Sequence, residues 1–332
     1  MEAFGLTLVA AAHLAAVYLA MAAPAVCLWL QWRAGSDELA RRLDLYLLRL
    51  SVASLLLAML LGGLAVALIA RLFPQPYLNA FHELPRRRYE FGVVELVFTL
   101  VCYGLALRLG SRAERPPAEH AVPRRWFALR WWATFLGALN LAYHFPPLFV
   151  MLGVLTTRPE TWGRPARFTS LLADGEILAR TFHHWLAAAI LGGLALAYYG
   201  IRRGAASDDR RAVVWGCRIA AAAMLLQVVS GVLLVGELPV ATRHALLGDD
   251  ALATGLFAAA VLAAFFVLPR LAAIGLGHVE RRHALGSCLL IFLVLLLMTA
   301  ARHRTRHLLT SSQVAPGLVP GTANATPDSL AK

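Results

Sequence analysis

Several histidines of this sequence lie inside long apolar stretches, where an imidazole is costly to bury without a partner. His13, His144 and the adjacent pair His183–His184 all have this setting. Imidazole is a common axial ligand of haem iron, and cofactor sites in helical bundles are built from side chains on facing helices. These residues therefore predict a haem or metal site inside a bundle of apolar helices.

The same residues are predicted to gather in one half of the membrane. Successive spans run in opposite directions, so positions early in odd-numbered helices share a side with positions late in even-numbered ones. His13, Glu95, His144 and His183–His184 all fall on the side where the first helix begins, which we call side B. Arg180, one helical turn before the histidine pair, is placed to bind a haem propionate.

Each of these residues has an alternative role. His13 could form a hydrogen bond between helices, and His144 could satisfy a carbonyl freed by Pro146–Pro147, which we expect to break or kink the helix. Adjacent residues on a helix point about 100° apart, so at most one of His183–His184 faces a given site. Glu95 could be a ligand, a proton carrier or the partner of an arginine.

The elements that must position these residues are long apolar helices. Of the 332 residues, 59% are hydrophobic and only 15% are charged, and the mean hydropathy is +0.65. Apolar runs long enough to cross a bilayer alternate with short arginine-rich connectors, and backbone in hydrocarbon must be helical. The sequence therefore predicts an all-α integral membrane protein with about eight spans, with two four-helix bundles as one arrangement. The predicted spans are 5–32, 44–71, 90–109, 129–157, 177–201, 211–237, 250–269 and 284–302.

The segments outside these spans are predicted to be irregular. The connector from Phe73 to Arg88 contains three prolines and is predicted to be the longest non-helical stretch on side B. The polar, proline-rich stretch Ser111–Pro123 is predicted to be a solvated loop. We assign residues 1–307 to the transmembrane domain and residues 308–332, rich in Ser, Thr, Pro, Gly and Ala, to a disordered tail.

Charge and cysteine content limit the partners and cofactors that we expect for this chain. The net charge of +12 comes from arginines beside the apolar runs, where they contact lipid headgroups and set orientation, so we expect membrane lipid and no nucleic acid as a partner. The four cysteines form no Cys-x-x-Cys pair, so no zinc site or covalently attached haem is encoded. A slight excess of arginine opposite side B predicts a bacterial inner-membrane protein with a periplasmic N-terminus.

The order of these features resembles the N-terminal part of subunit I of cytochrome bd quinol oxidases. The resemblance spans roughly residues 5–240 and follows the layout of three stretches. These are the first helix with His13 and Pro24, the third helix with Glu95, Val97–Phe98 and Gly104–Leu105, and the region from Arg180–His184 through Gly192–Gly193 to Val235–Pro239. The long quinol-binding loop of that family and its C-terminal Gly-Arg-Gln-Pro-Trp motif have no counterpart in this chain.

The resemblance implies haem coordination by His13 and by His183 or His184, with Glu95 on a proton or ligand path. We therefore expect a b-type cytochrome-like electron-transfer subunit with one or two haem b groups. A partner would be cytochrome c or another subunit of a respiratory complex. A bis-histidine haem would pair His13 with His144 or with one of His183–His184, and an open iron position would permit oxidase activity. The alternatives are a transporter and a cofactor-free structural subunit of a larger membrane complex.

Overall fold

The computed structural model describes residues 2–34, 37–72, 74–84, 86–113, 124–158, 167–203 and 207–314. Regular structure in these residues is helical throughout, and eight of their helices are long and apolar enough to cross a membrane. The prediction of an all-α, multi-pass membrane protein is therefore confirmed. The helices are α1 (Glu2–Arg33), α2 (Glu38–Leu72), α3 (Pro74–Glu83), α4 (Arg86–Ala113), α5 (Arg124–Leu155), α6 (Phe168–Leu172), α7 (Gly175–Arg203), α8 (Ser207–Glu237), α9 (Val240–His244), α10 (Ala251–Gly275) and α11 (Arg281–Val314).

The spanning helices extend beyond the apolar windows that predict them, because polar residues at their ends continue the same backbone hydrogen-bond pattern. Helix α11 runs to Val314, past the boundary at residue 307 between the predicted domain and tail. Helix α4 likewise continues to Ala113, into the predicted loop Ser111–Pro123. Residues 114–123 and 315–332, which make up the rest of that loop and tail, lie outside the described residues.

The prediction of a non-helical connector between Phe73 and Arg88 is wrong. Helix α3 fills most of it, and α4 already begins at Arg86. Two of the connector's three prolines, Pro74 and Pro76, lie in the first turn of α3, where backbone N–H groups have no intrahelical acceptor and a proline removes no hydrogen bond. The buried residues Ala80 and Leu84 join a cluster with Met151 of α5.

Pro146 and Pro147 do not end α5, which continues through both to Leu155. Prolines inside membrane helices are tolerated when neighbouring groups satisfy the freed carbonyls. Because α5 continues, His144 and the side-B end of the helix belong to one element.

Helix α1 lies at the centre of the bundle. It contacts α2 and α5 from the first half of the chain and α7 and α11 from the second half. The two sets of four long helices therefore meet along α1. Side chains of the first four long helices therefore meet side chains of the last four mainly where both contact α1.

Helices α7 and α8 approach each other closely enough for their backbones to be in contact. A Cβ placed on Gly193 would lie 2.6 Å from the carbonyl oxygen of Gly216, and a Cβ on Gly216 would overlap Gly193 in turn. Glycine at both positions thus lets the two backbones touch, as small residues do at many membrane-helix interfaces.

A buried charged network joins α1, α2 and α5 in the half of the bundle opposite side B, which we call side A. Arg130 forms a hydrogen-bonded ion pair with Asp44, and the two side chains are 7% and 0% exposed. The Gln31 amide donates to Asp44 Oδ1 at 3.0 Å and to the Thr134 hydroxyl at 3.1 Å. Gln31 Oε1 and Arg130 Nε have no partner in the described part of the chain. One carboxylate and one guanidinium therefore neutralise each other inside the helices.

Candidate functional site

A chain of ion pairs begins at the side-B end of α5 and leads into α7. Arg158 donates to Asp174 at 2.7 Å and to Glu176 at 2.8 Å, and Arg180 donates to Glu176 at 2.6 Å. Glu176 is only 2% exposed, so both arginines share one buried carboxylate. Partial burial alone would raise the pKa of Asp174, but the Arg158 guanidinium holds it below its ordinary value.

Helix α11 adds two more guanidinium groups to this region. Arg306 donates to the Thr156 hydroxyl and, at 3.5 Å, to the Gly153 carbonyl. Arg302 packs against the same glycine, where a Cβ would lie 2.7 Å from its Nη2. Within the described residues, neither a hydrogen-bond acceptor nor a carboxylate contacts the guanidinium of Arg302. Positive charge therefore exceeds negative charge at this end of the bundle.

His184 of α7 lies beside these arginines and faces α1. Its Nδ1 is hydrogen-bonded to the hydroxyl of Tyr18, which is 4% exposed. Arg302 is near enough to interact electrostatically with both rings. Among the described residues Nε2 of His184 has no hydrogen-bond partner. The imidazole is thus fixed through one nitrogen, and the other remains available.

The neighbouring His183 faces α8 instead, and both of its ring nitrogens have partners. Nδ1 lies 3.1 Å from the Ser230 hydroxyl, and Nε2 lies 2.8 Å from Nε2 of Gln227. A ring with both nitrogens occupied would have to give up a hydrogen bond before it could bind a metal. The structure thus distinguishes two histidines that the sequence treats as equivalent.

His13 faces α2, at a different interface of α1 from Tyr18. Its Nδ1 is 2.9 Å from the carbonyl oxygen of Ala58, and its ring lies over Gly62, where a Cβ would be 2.9 Å from Cε1. Nε2 of His13 has no hydrogen-bond partner in the described residues. His13 and His184 therefore share the same bonding pattern but point into different helix interfaces.

The structure brings together two other predicted site residues, Glu95 of α4 and His144 of α5. Their nearest atoms, Oε1 and Nε2, are 4.0 Å apart. Asn140 donates from Nδ2 to the Glu95 carbonyl and to the Thr99 hydroxyl, both at 2.9 Å, which ties α5 to α4 at this level. The pair forms a site of its own at the α4–α5 interface.

These histidines occupy separate helix interfaces. His13 lies between α1 and α2, His144 between α4 and α5, His183 between α7 and α8, and His184 between α7 and α1. In the part of the chain that the structure describes, no group of three or more His, Cys, Asp or Glu side chains could hold a metal ion. The ligand assignments made from sequence stay predictions.

Arg302, Arg306, Tyr18 and Glu176 were not among the site residues predicted from sequence. In the sequence, Arg302 and Arg306 are basic residues at the end of an apolar span, and in the structure they contact α5 and lie beside α7. One signal could have identified them. They are four residues apart and therefore on one helix face, within a stretch that also carries His303.

A comparison of the sequence with models of protein families and with curated proteins finds no match. Function is accordingly inferred from the contacts, burial and charge of the chain itself.

Proposed function

We propose that this chain is a haem b-binding electron-transfer subunit of the membrane, in which His184 would hold the haem iron and Arg180 and Arg302 would pair with the haem propionates. The observation that carries the proposal is the combination at His184 of an anchored Nδ1, an unpartnered Nε2 and adjacent guanidinium groups. This proposal keeps the cytochrome bd-like layout inferred from the sequence and selects one histidine of the adjacent pair.

The chemistry of haem b fits these residues in two respects. Histidines that bind metals are commonly held through one ring nitrogen so that the other is aimed at the metal, and the Tyr18 hydroxyl supplies such a contact to His184. Haem b also carries two carboxylates, one of which would give Arg302 a direct anionic contact that it does not make within the described residues. When bound, haem b supplies one-electron chemistry at its iron.

The remaining residues of the cluster have supporting roles in this proposal. Glu176 fixes Arg180 through hydrogen bonds from Nε and Nη2, so the guanidinium is held before any ligand arrives. Excess positive charge near the iron favours the reduced form, because reduction adds an electron to the site. Arg180 and Arg302 would therefore raise the midpoint potential as well as bind carboxylates.

His13 is the candidate ligand of a second haem. Its Nδ1 is anchored on the Ala58 carbonyl, its Nε2 is unpartnered, and Gly62 leaves room against the ring. In this proposal side B faces the periplasm of a bacterial inner membrane. The electron partner there is cytochrome c or another subunit of a respiratory complex.

A reduced-minus-oxidised spectrum of the purified protein, with a pyridine haemochrome assay, tests the proposal. We expect a b-type α-band in the wild type. The adjacent histidines offer a matched pair of variants: H184A should lose most of the band, whereas H183A should keep it because His183 has both nitrogens engaged elsewhere. A wild-type protein without haem, or equal loss in both variants, would refute the assignment.

A second candidate function is proton-coupled transport, which the pair Glu95 and His144 favours. Their 4.0 Å separation inside the membrane is short enough for proton exchange through one intervening water. The two functions predict different results in liposomes. A haem-free protein that acidifies vesicles, and loses this activity in E95Q, would establish transport in place of electron transfer.

A further inference from the structure

A groove of about 670 Å³ runs from the middle of the bundle towards side A, on the face of α7 between α1 and α8. Helix α7 packs against both of these helices, and two adjacent glycines bring them close. A Cβ on Gly192 would lie 2.9 Å from the Cβ of Ala22 in α1, and a Cβ on Gly193 would overlap α8 on the other side. The small residues Ala188 and Ala189 continue this surface of α7 towards the membrane centre, so a trough remains between α1 and α8.

The end of the groove at the membrane centre is formed by Trp185 of α7. Its indole Nε1 donates to the Ala142 carbonyl of α5 at 3.0 Å. This carbonyl has no donor within its own helix, because the residue four positions later is Pro146, which lacks an N–H. The proline in α5 thus frees the acceptor that holds Trp185, and both residues of this contact line the groove.

The side-A end of the groove carries two tryptophans and two arginines. Trp29 of α1 and Trp215 of α8 meet edge to face, with ring centroids 5.1 Å apart. The guanidinium carbon of Arg33 lies 5.3 Å from the first centroid and 5.5 Å from the second, so both rings attract this cation. Arg218 donates from Nε at 2.6 Å to the carbonyl of Gly275, the last residue of α10, and therefore lies at the depth where that spanning helix ends.

This end of the groove is suited to an anion. Among the described residues that line the groove, none is a carboxylate. No carboxylate of the described residues contacts Arg33 or Arg218, and the terminal nitrogens of Arg218 have no hydrogen-bond acceptor among them. Asp37, on the same side of the membrane, is bound by Arg211 at 2.6 Å. Two arginine charges are therefore present without a carboxylate in the wall to balance them.

The apolar part of the groove matches an acyl chain of the adjacent leaflet. From Met21 to Arg33 the groove follows α1 for about 18 Å, at a rise of about 1.5 Å per residue. One leaflet contributes about 15 Å of hydrocarbon, half of the core of a bilayer. Ala25, in the middle of this stretch of α1, is exposed and lines the groove. An acyl chain can thus lie along α1 while its headgroup reaches the two arginines.

We propose that this groove binds an acidic phospholipid of the side-A leaflet, with its phosphate at Arg33 and Arg218 and one acyl chain between α1 and α8. A phosphate pairs well with guanidinium groups, and a headgroup of net negative charge complements two cations without lining carboxylates. A soluble phosphate would leave the apolar wall uncovered, and a zwitterionic lipid would add a further positive charge. The site is independent of the haem proposal, because none of its residues is assigned to the haem.

Native mass spectrometry of the detergent-purified protein tests this inference. Phosphatidylglycerol, phosphatidylcholine with the same acyl chains, and glycerol 3-phosphate serve as the three probes. We expect one phosphatidylglycerol to bind at least about tenfold more tightly than either of the other probes. R33Q and R218Q should each reduce this preference, and the double variant should remove it. R270Q is the matched control, because Arg270 is an exposed arginine near the side-A end of α10 that does not line the groove.

A second pair of variants keeps the test decisive if the arginine variants fail to fold. A25W fills the groove without changing the charge, whereas A222W adds the same side chain at an exposed position of α8 outside the groove. We expect A25W to weaken phosphatidylglycerol binding by at least about tenfold and A222W to leave it unchanged. Equal binding of the two phospholipids would overturn the proposal. So would equal effects of R270Q and the groove arginine variants, equal effects of A25W and A222W, or glycerol 3-phosphate binding as tightly as the lipid.

Discussion

The two halves of the bundle bury charge in different ways. In the side-A half, Arg130 and Asp44 form one closed ion pair, supported by Gln31 and hardly exposed. In the side-B half, Arg158 and Arg180 share Glu176, and no carboxylate of the described residues contacts the Arg302 guanidinium. A buried arginine and aspartate that neutralise each other need no further partner. A surplus of buried positive charge is stable only when an anion from outside the cluster pairs with it.

This difference distinguishes charged residues that stabilise the fold from charged residues that are available to bind a ligand. Intramembrane ionisable residues are usually taken as functional, yet the side-A network has a sufficient structural explanation in its own partners. The side-B cluster has no such explanation, because positive charge exceeds negative charge there. Loss of Arg130 should therefore mainly reduce stability, whereas loss of Arg302 should mainly reduce ligand binding. Four substitutions are ordered below by their expected effect on stability.

The largest effect is expected for R130Q. It leaves the Asp44 carboxylate buried without its counter-ion, and removal of one partner of a buried pair destabilises proteins by about 3–5 kcal/mol. Unfolding of the detergent-solubilised protein by denaturant measures the change. The double variant R130Q/D44N should recover most of the loss, because no buried charge remains. A fully stable R130Q would show that the two halves do not differ in this respect.

A smaller loss is expected for E176Q. The amide can accept only part of the hydrogen bonding that Arg158 and Arg180 now make to the carboxylate, and hydrogen bonds to charged groups contribute about 1.5–3 kcal/mol. The same unfolding assay measures it, with the exposed side-A variant E280Q as control. If E176Q proved neutral, Glu176 could not be the residue that holds the two arginines.

Substitution of Asp174 should have an effect that depends on pH. Because the folded-state pKa is lowered, the ionised carboxylate stabilises the fold above its unfolded pKa of about 3.9, and this contribution disappears as the pH falls through the folded value. For a partly exposed pair we expect less than about 1 kcal/mol. The stability difference between wild type and D174N should thus be present at neutral pH and vanish in acid. A difference that persisted in acid would contradict the ion-pair explanation.

The smallest effect on stability is expected for R302Q. Without a carboxylate to leave behind, the change should alter the free energy of unfolding by no more than about 0.5 kcal/mol. The variant should nevertheless lose haem, or shift its midpoint potential downward in a redox titration. A loss as large as that of R130Q would instead make Arg302 a structural residue and remove the contrast between the two halves.

The number and type of the spans could be predicted from sequence because bilayer thickness imposes a minimum apolar length on every helix. Helix α3 was not predicted from the sequence because prolines usually interrupt helices. In the first turn of a helix, however, prolines are compatible with helical structure. The sequence places the histidines on the correct helices, but it does not indicate which neighbouring helix each histidine faces. His13 and Tyr18 are five residues apart on α1, and only the positions of α2 and α7 around α1 determine that one meets Ala58 and the other His184.

The contact between Gly193 and Gly216 has a consequence for biogenesis. Two helices that touch at their backbones, with only a short connection between Arg203 and Ser207, can pair as a hairpin as soon as both have entered the membrane. Helix α11 is synthesised later, so Arg302 and Arg306 would meet helices that are already paired. The α7–α8 hairpin would then present the surface beside which Arg302 comes to lie.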